Sequence, residues 1–184
     1  MIPKDIVFVV DASLSMVKQY NDFRPSKIEA SLEIIGRVSR IRIIQYRDRI
    51  GLILFNAFVI PLLHPDSDYN KIVTTLSQAK FSGEGSALGD AIIEAVKMLR
   101  HVDHRGKLVV AISDGELNIG SPLELAALYA NNSGVALCII VIGRRKRYQI
   151  RDSLERLSGY KMLVWHEVDT VSEAESTLLQ CLQG

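Results

Sequence analysis

Ile6 to Val10 are five consecutive β-branched or aromatic residues without polar alternation, and the run stops at Asp11. A strand of this kind buries both faces, so it belongs in the middle of a parallel sheet covered by helices on each side. Polar atoms then arrive together, at Asp11, Ser13 and Ser15 in the stretch DASLS. Loops at the carboxyl ends of central strands are where open α/β sheets build their sites. Carboxylate and hydroxyl oxygens are hard donors that suit Mg²⁺, Mn²⁺ or Ca²⁺ rather than zinc. A strand end followed by two turn-capping serines would leave the same short pattern, so the rest of the chain has to decide.

Further apolar runs follow at Ile50–Phe55, Phe58–Leu63, Lys107–Ser113, Val135–Ile142 and Met162–Trp165. Only Asn56 and Ala57 separate the second run from the third. No crossover helix fits there, so these two strands should form an antiparallel hairpin, with Pro61 suited to a sheet edge. Helices are expected between the other strands. Ser26 and Glu29 form a capping box for the first, whose apolar face is Ile28, Leu32, Ile35 and Val38 and whose other faces carry Lys27, Glu33 and Arg37. Asp68 opens a second helix, Leu88 to Leu99 carry a third, and Ser121, Pro122 and Glu124 form a capping box with an early proline for a fourth. Ile150 to Leu157 and Ser172 to Leu182 complete the set. The alternation calls for a doubly wound three-layer α/β/α fold, Rossmann-like, with a mainly parallel six-stranded sheet and one antiparallel edge strand.

Two more loops carry chemistry. FSGEGSALGD holds Ser86 behind Gly83 and Gly85, which allow a close backbone approach, and the fourth strand ends in Ser113-Asp114-Gly115-Glu116. Ser86 could equally cap the helix that follows it. The glycine-rich loop lacks the GK[ST] ending of a phosphate-binding loop and does not match GxGxxG. In a doubly wound sheet the loops after the first and fourth strands meet at one face. Asp11, Ser13, Ser15, Ser86 and Asp114 then form one cluster.

The three parts in this order resemble the von Willebrand factor type A domain and its metal-ion-dependent adhesion site: DxSxS, then a hydroxyl residue in a glycine-rich loop, then Asp before Gly. Ser86 stands where that family more often has threonine, which keeps the hydroxyl and loses a methyl. The resemblance implies that Ser13 and Ser15 hold Mg²⁺, or Mn²⁺ or Ca²⁺, directly, that Ser86 does so directly or through water, and that Asp11 and Asp114 act largely through water. It implies a partner protein whose Asp or Glu completes the coordination, and a role as an adaptor, including within ATPase-associated, repair, transcription or proteasome-like complexes. Glu116 and Asn118, beside the third loop, and Arg144 and Arg145, in the basic run after the fifth strand, are candidate partner contacts. Each is also compatible with a turn or a solvated loop. Asp90 could orient the Ser86 loop or sit in the first turn of its helix.

Composition bounds the alternatives. At 184 residues the chain fits a single domain, 1–184. Its 22 Lys and Arg against 21 Asp and Glu leave a formal charge of +1, which gives no overall pull toward nucleic acid or membrane. No apolar stretch reaches the ~20 residues that span a bilayer. The amino terminus lacks a secretory pattern, so a cytoplasmic location is expected. Cys138 and Cys181 have no CxxC spacing and read as packing residues rather than a disulfide. An Mg²⁺-dependent phosphatase-like hydrolase also begins with a strand ending in Asp, but that pattern needs a second Asp where Ser13 stands, and no lysine lies in the serine-rich loops to offset phosphate charge. There is no GxSxG elbow or triad order among the histidines. The expectation is a non-enzymatic, divalent-cation-dependent protein-interaction module. The alternative within that class is a scaffold that binds through a face other than the metal site.

Overall fold

The computed structural model describes residues 2–80, 82–101, 104–115, 119–143, 148–157 and 162–183. Their elements run β1 (Lys4–Asp11), α1 (Lys27–Tyr46), β2 (Arg49–Phe55), β3 (Val59–Asp66), α2 (Tyr69–Gln78), α3 (Leu88–Leu99), β4 (Gly106–Ser113), α4 (Leu123–Asn132), β5 (Ala136–Ile142), α5 (Tyr148–Arg156), β6 (Leu163–Val168) and α6 (Val171–Gln183). The six strands form one sheet in the order β3-β2-β1-β4-β5-β6. Every pairing is parallel except β2 with β3, whose register is broken by bulges at Ile50, Leu52 and Ile53. The antiparallel hairpin is the one the short link required, its strands separated by the three residues 56–58, and Pro61 lies on its edge strand.

β1 is central, and its alternate residues feed two separate cores. Ile6, Phe8 and Val10 pack with Ile28, Ile35 and Val38 of α1 and Leu178 and Leu182 of α6. Val7 and Val9 pack with Leu88, Ile92 and Val96 of α3 and Ala126 of α4. Both faces of β1 are therefore covered, which is why its sequence shows no polar alternation. The chain leaves β1 in one direction toward β2 and β3 and reaches β4 on the other side, so the sheet's switch point lies between β1 and β4. The carboxyl ends of these strands flank the crevice that such a switch creates.

Three local expectations are corrected here. Cys138 of β5 and Cys181 of α6 are bonded, with Cα atoms 6.2 Å apart. Cys138 points to the face that α6 covers, and a sequence separation of 43 hid that proximity from the sequence. Ser121 does not cap α4, because Pro122 is itself the capping residue and no side chain bonds to the helix start. Lys27 is not on an outer face of α1 but buried, since the first residue of a helix aims its side chain back beyond the amino-terminal end. The capping box at Ser26 and Glu29 is present in altered form. The Ser26 hydroxyl accepts from the Glu29 amide at 3.2 Å and donates to the Glu29 carboxylate at 2.8 Å.

Candidate functional site

Asp11 ends β1 with its carboxylate buried among hydroxyls. Its Oδ1 accepts from the Ser13 amide at 2.8 Å, a turn that brings the next residues round above the strand end. Its Oδ2 accepts from Ser113 at 2.6 Å and from Ser86 at 3.1 Å. One carboxylate thus ties together the loop after β1, the glycine-rich loop and the end of β4. Ser13 and Ser15 lie over it with their hydroxyl oxygens 3.0 Å apart. Ser13 and Ser86 are buried, while Ser15 is half-exposed at the mouth.

The backbone fixes the glycine-rich loop in place. Gly83 donates to Ala12 O at 3.1 Å and accepts from the Leu14 amide at 3.1 Å, while Ala57 donates to Glu84 O and Ala87 to Asn56 O. The loop is laced between the DASLS turn and the β2–β3 turn. A Cβ on Gly83 would sit 2.2 Å from Asn56 Nδ2, so any larger residue there has to displace that buried side chain. Ser86 therefore serves the Asp11 cluster and not helix α3, whose capping residue Ala87 makes no side-chain cap. Asp90, for its part, accepts from the Ser121 amide at 3.1 Å and pins the segment after β4 rather than the Ser86 loop.

Asp114, directly after β4, is buried and ion-paired with the Lys27 ammonium, which reaches in from the start of α1. It is near enough to Asp11 for the two charges to interact. Burial pushes the Asp11 carboxyl above the ordinary aspartate range, hydrogen bonds from Ser113 and Ser13 pull it back, and the Asp114 charge adds to the rise. Asp11, Ser13, Ser15, Ser86 and Asp114 are thus brought together as the sequence suggested. Two participants were missed. Ser113 falls inside the strand pattern of β4, and a serine immediately before an Asp-Gly turn is the signal for its second role. Lys27 was hidden by its place in a helix pattern. Glu116, Asn118, Arg144 and Arg145 lie outside the described residues.

Among the described residues no group of three or more His, Cys, Asp or Glu side chains is arranged to hold a metal ion. The cluster's donors are three serine hydroxyls and two carboxylates. That all-oxygen set fits a hard cation such as Mg²⁺ or Mn²⁺ and does not fit zinc.

The sequence pattern of the von Willebrand factor type A domain matches residues 6–116, more than half of the chain. The chain belongs to the von Willebrand factor type A domain family. Members commonly act as protein-interaction modules and often bind divalent metals. Comparison with curated proteins finds no match. Among solved structures, an aerotolerance-related membrane protein from Bacteroides fragilis superimposes with a TM-score of 0.79 at 20% identity, covering 98% of each chain. The SpRpn10 VWA domain gives 0.72 at 18% identity, covering 97% of this chain and 95% of that one. The manganese-loaded Plasmodium vivax TRAP protein gives 0.67 at 20% identity, covering 96% and 72% respectively. At these identities the likeness speaks for the shared type A fold. No helix among the described residues is long and apolar enough to cross a membrane.

Proposed function

We propose that this domain binds a partner protein through a divalent cation held by Ser13, Ser15 and Ser86, with Asp11 and Asp114 behind them, and that it has no catalytic activity of its own. The observation that carries the reading is the pair of hydroxyls of Ser13 and Ser15, 3.0 Å apart, above a buried carboxylate that fastens three separate loops. Asp11 orients the hydroxyls and supplies negative charge beneath them. A bound Mg²⁺ would contribute a positive centre with a position open to an acidic side chain. The similar Plasmodium vivax TRAP protein was solved loaded with manganese, which supports this reading.

The surroundings suit a protein ligand. Leu14 and Val17 on the first loop, Phe58 on the β2–β3 turn and Ile119 after β4 are all exposed large apolar residues. Ile119 also approaches the glycine-rich loop, its Cδ1 lying 2.5 Å from where a Cβ on Gly85 would be. Bulky side chains on the loops that build the site are a usable rim for a docking surface. The phosphatase-like reading keeps its defect, because the position of the second aspartate is Ser13. Among the described residues the lysine paired within the site, Lys27, spends its charge on Asp114.

Partner capture separates the metal route from docking on another face. Tagged protein is used to pull down binding proteins with Mg²⁺, with chelator, and as the Ser15→Ala variant. Partners held only by the Mg²⁺-loaded wild type support the metal route. The same partners retained under all three conditions would place the interface elsewhere on the domain.

A further inference from the structure

Lys27 is in an unfavourable place for an ordinary structural lysine. It is the first residue of α1, where the helix macrodipole disfavours a cation, and its side chain is buried with a relative exposure of 8% against 0% for Asp114. Buried ion pairs seldom repay the cost of desolvating both members, so the pair as a whole is weak evidence for a purely stabilising role, although Asp114 once buried needs a counter-charge. Its position is also closely specified. The Lys27 amide donates to Lys18 O at 3.2 Å and the Ile28 amide to Met16 O at 3.1 Å, which straps the start of α1 onto the chain leaving the DASLS turn. The Ser31 hydroxyl bonds Lys27 O at 2.7 Å. The ammonium therefore arrives from a fixed base at the carboxylate that closes the serine cluster.

We propose that Lys27 is a tethered counter-cation that competes with a divalent ion for Asp114 and so holds the site's metal affinity down. The inference rests on the metal reading above and adds how that site is tuned. In the metal-free protein Lys27 offsets one of two neighbouring buried carboxylates and keeps the loops assembled. A divalent ion entering the same space meets a positive charge that the protein does not let diffuse away, unlike a solvent counterion. Loading is then reversible rather than permanent, and the site is assembled before any ion is present.

The test is a titration of the purified chain with Mn²⁺ alone, read by electron paramagnetic resonance of the free ion, on wild type, Lys27→Met and Lys27→Arg. Methionine keeps much of the length and removes the charge; arginine keeps the charge. Lys27→Met should bind Mn²⁺ at least about tenfold more tightly, the scale on which deleting a like charge beside a bound ion acts, while Lys27→Arg stays within about threefold of wild type by the same reasoning. Thermal unfolding supplies a second readout. Lys27→Met should melt below wild type in chelator, because Asp114 loses its counter-charge, and should gain more from saturating Mn²⁺ than wild type does. If Lys27→Met fails to fold without metal, Lys27→Gln takes its place in the same titration. Wild-type binding with unchanged or weaker binding by the neutral variants overturns the role of Lys27 and leaves the metal reading standing. An equal gain in Lys27→Arg overturns it too, since charge would not be the cause. Absence of Mn²⁺ binding in all the folded chains overturns both.

Discussion

Replacing Ser113 by alanine should be far more costly than a conservative change at a strand end usually is. Its hydroxyl donates to Asp11 Oδ2 at 2.6 Å and accepts from the Gly115 amide at 3.0 Å, with both bonds buried. Losing a hydrogen bond to a charged acceptor removes about 1.5–3 kcal/mol, and an unsatisfied buried amide adds about 1–3 kcal/mol. Because one relaxation of the turn can relieve part of both, the expected loss is about 3 kcal/mol rather than their full sum. Urea unfolding in chelator measures it, with an unchanged denaturant slope as the sign that only stability moved. There is also a pH signature. The Asp11 carboxyl is raised in the folded chain, so the folded state binds that proton more tightly than the unfolded state does. That contribution to stability is present below the unfolded aspartate value of about 4 and declines as pH climbs through the folded value. Without the Ser113 bond, which lowers the folded value, the decline should extend to higher pH. A loss under about 1 kcal/mol with an unaltered pH profile would refute the claim that Ser113 holds Asp11 in place, since both hydrogen bonds would then be worth less than typical neutral ones.

Two further perturbations address other parts of the account. Cys181→Ser opens a loop of 43 residues between β5 and α6 and should cost about 4 kcal/mol by the chain-entropy relation, a difference from wild type that vanishes in reductant. Thiol titration of unfolded, unreduced protein should find no free cysteine; two free thiols would contradict the bond between Cys138 and Cys181. Gly83→Ala places a Cβ 2.2 Å from Asn56 Nδ2 in the laced part of the glycine-rich loop, so it should destabilise by about 1–3 kcal/mol and weaken Mn²⁺ binding together, as read by thermal unfolding and titration.

The fold was legible because its signals are local and periodic. The uninterrupted apolar run of β1 announces a strand covered on both sides, and three residues between β2 and β3 leave room only for a hairpin. The serines and aspartates of the cluster were legible for a different reason: three polar loops each follow or face the carboxyl end of a buried strand, and the topology takes them to one crevice. What escaped was the side chain whose role depends on reach. Lys27 and Asp114 are 87 residues apart, and nothing in the helical pattern of α1 says that its first side chain points inward. The disulfide escaped likewise, since the packing of α6 over β5 is a tertiary fact. Ser121 shows the remaining kind of error, in which an apparent helix cap is displaced by the proline that follows it, whereas Ser86, for which a cap was the alternative, bonds the carboxylate of Asp11.

The most direct test of the central claim is Mn²⁺ binding by the wild-type domain, followed by electron paramagnetic resonance, with Mg²⁺ as competitor and Ser15→Ala as control. Ser15 is half-exposed, and its side-chain bond is to Ser13, so its loss should leave the fold intact while removing a ligand. The account predicts saturable binding of one ion that Mg²⁺ displaces and that Ser15→Ala weakens at least about tenfold. Equal binding by wild type and Ser15→Ala, or none by a folded wild type, would contradict it.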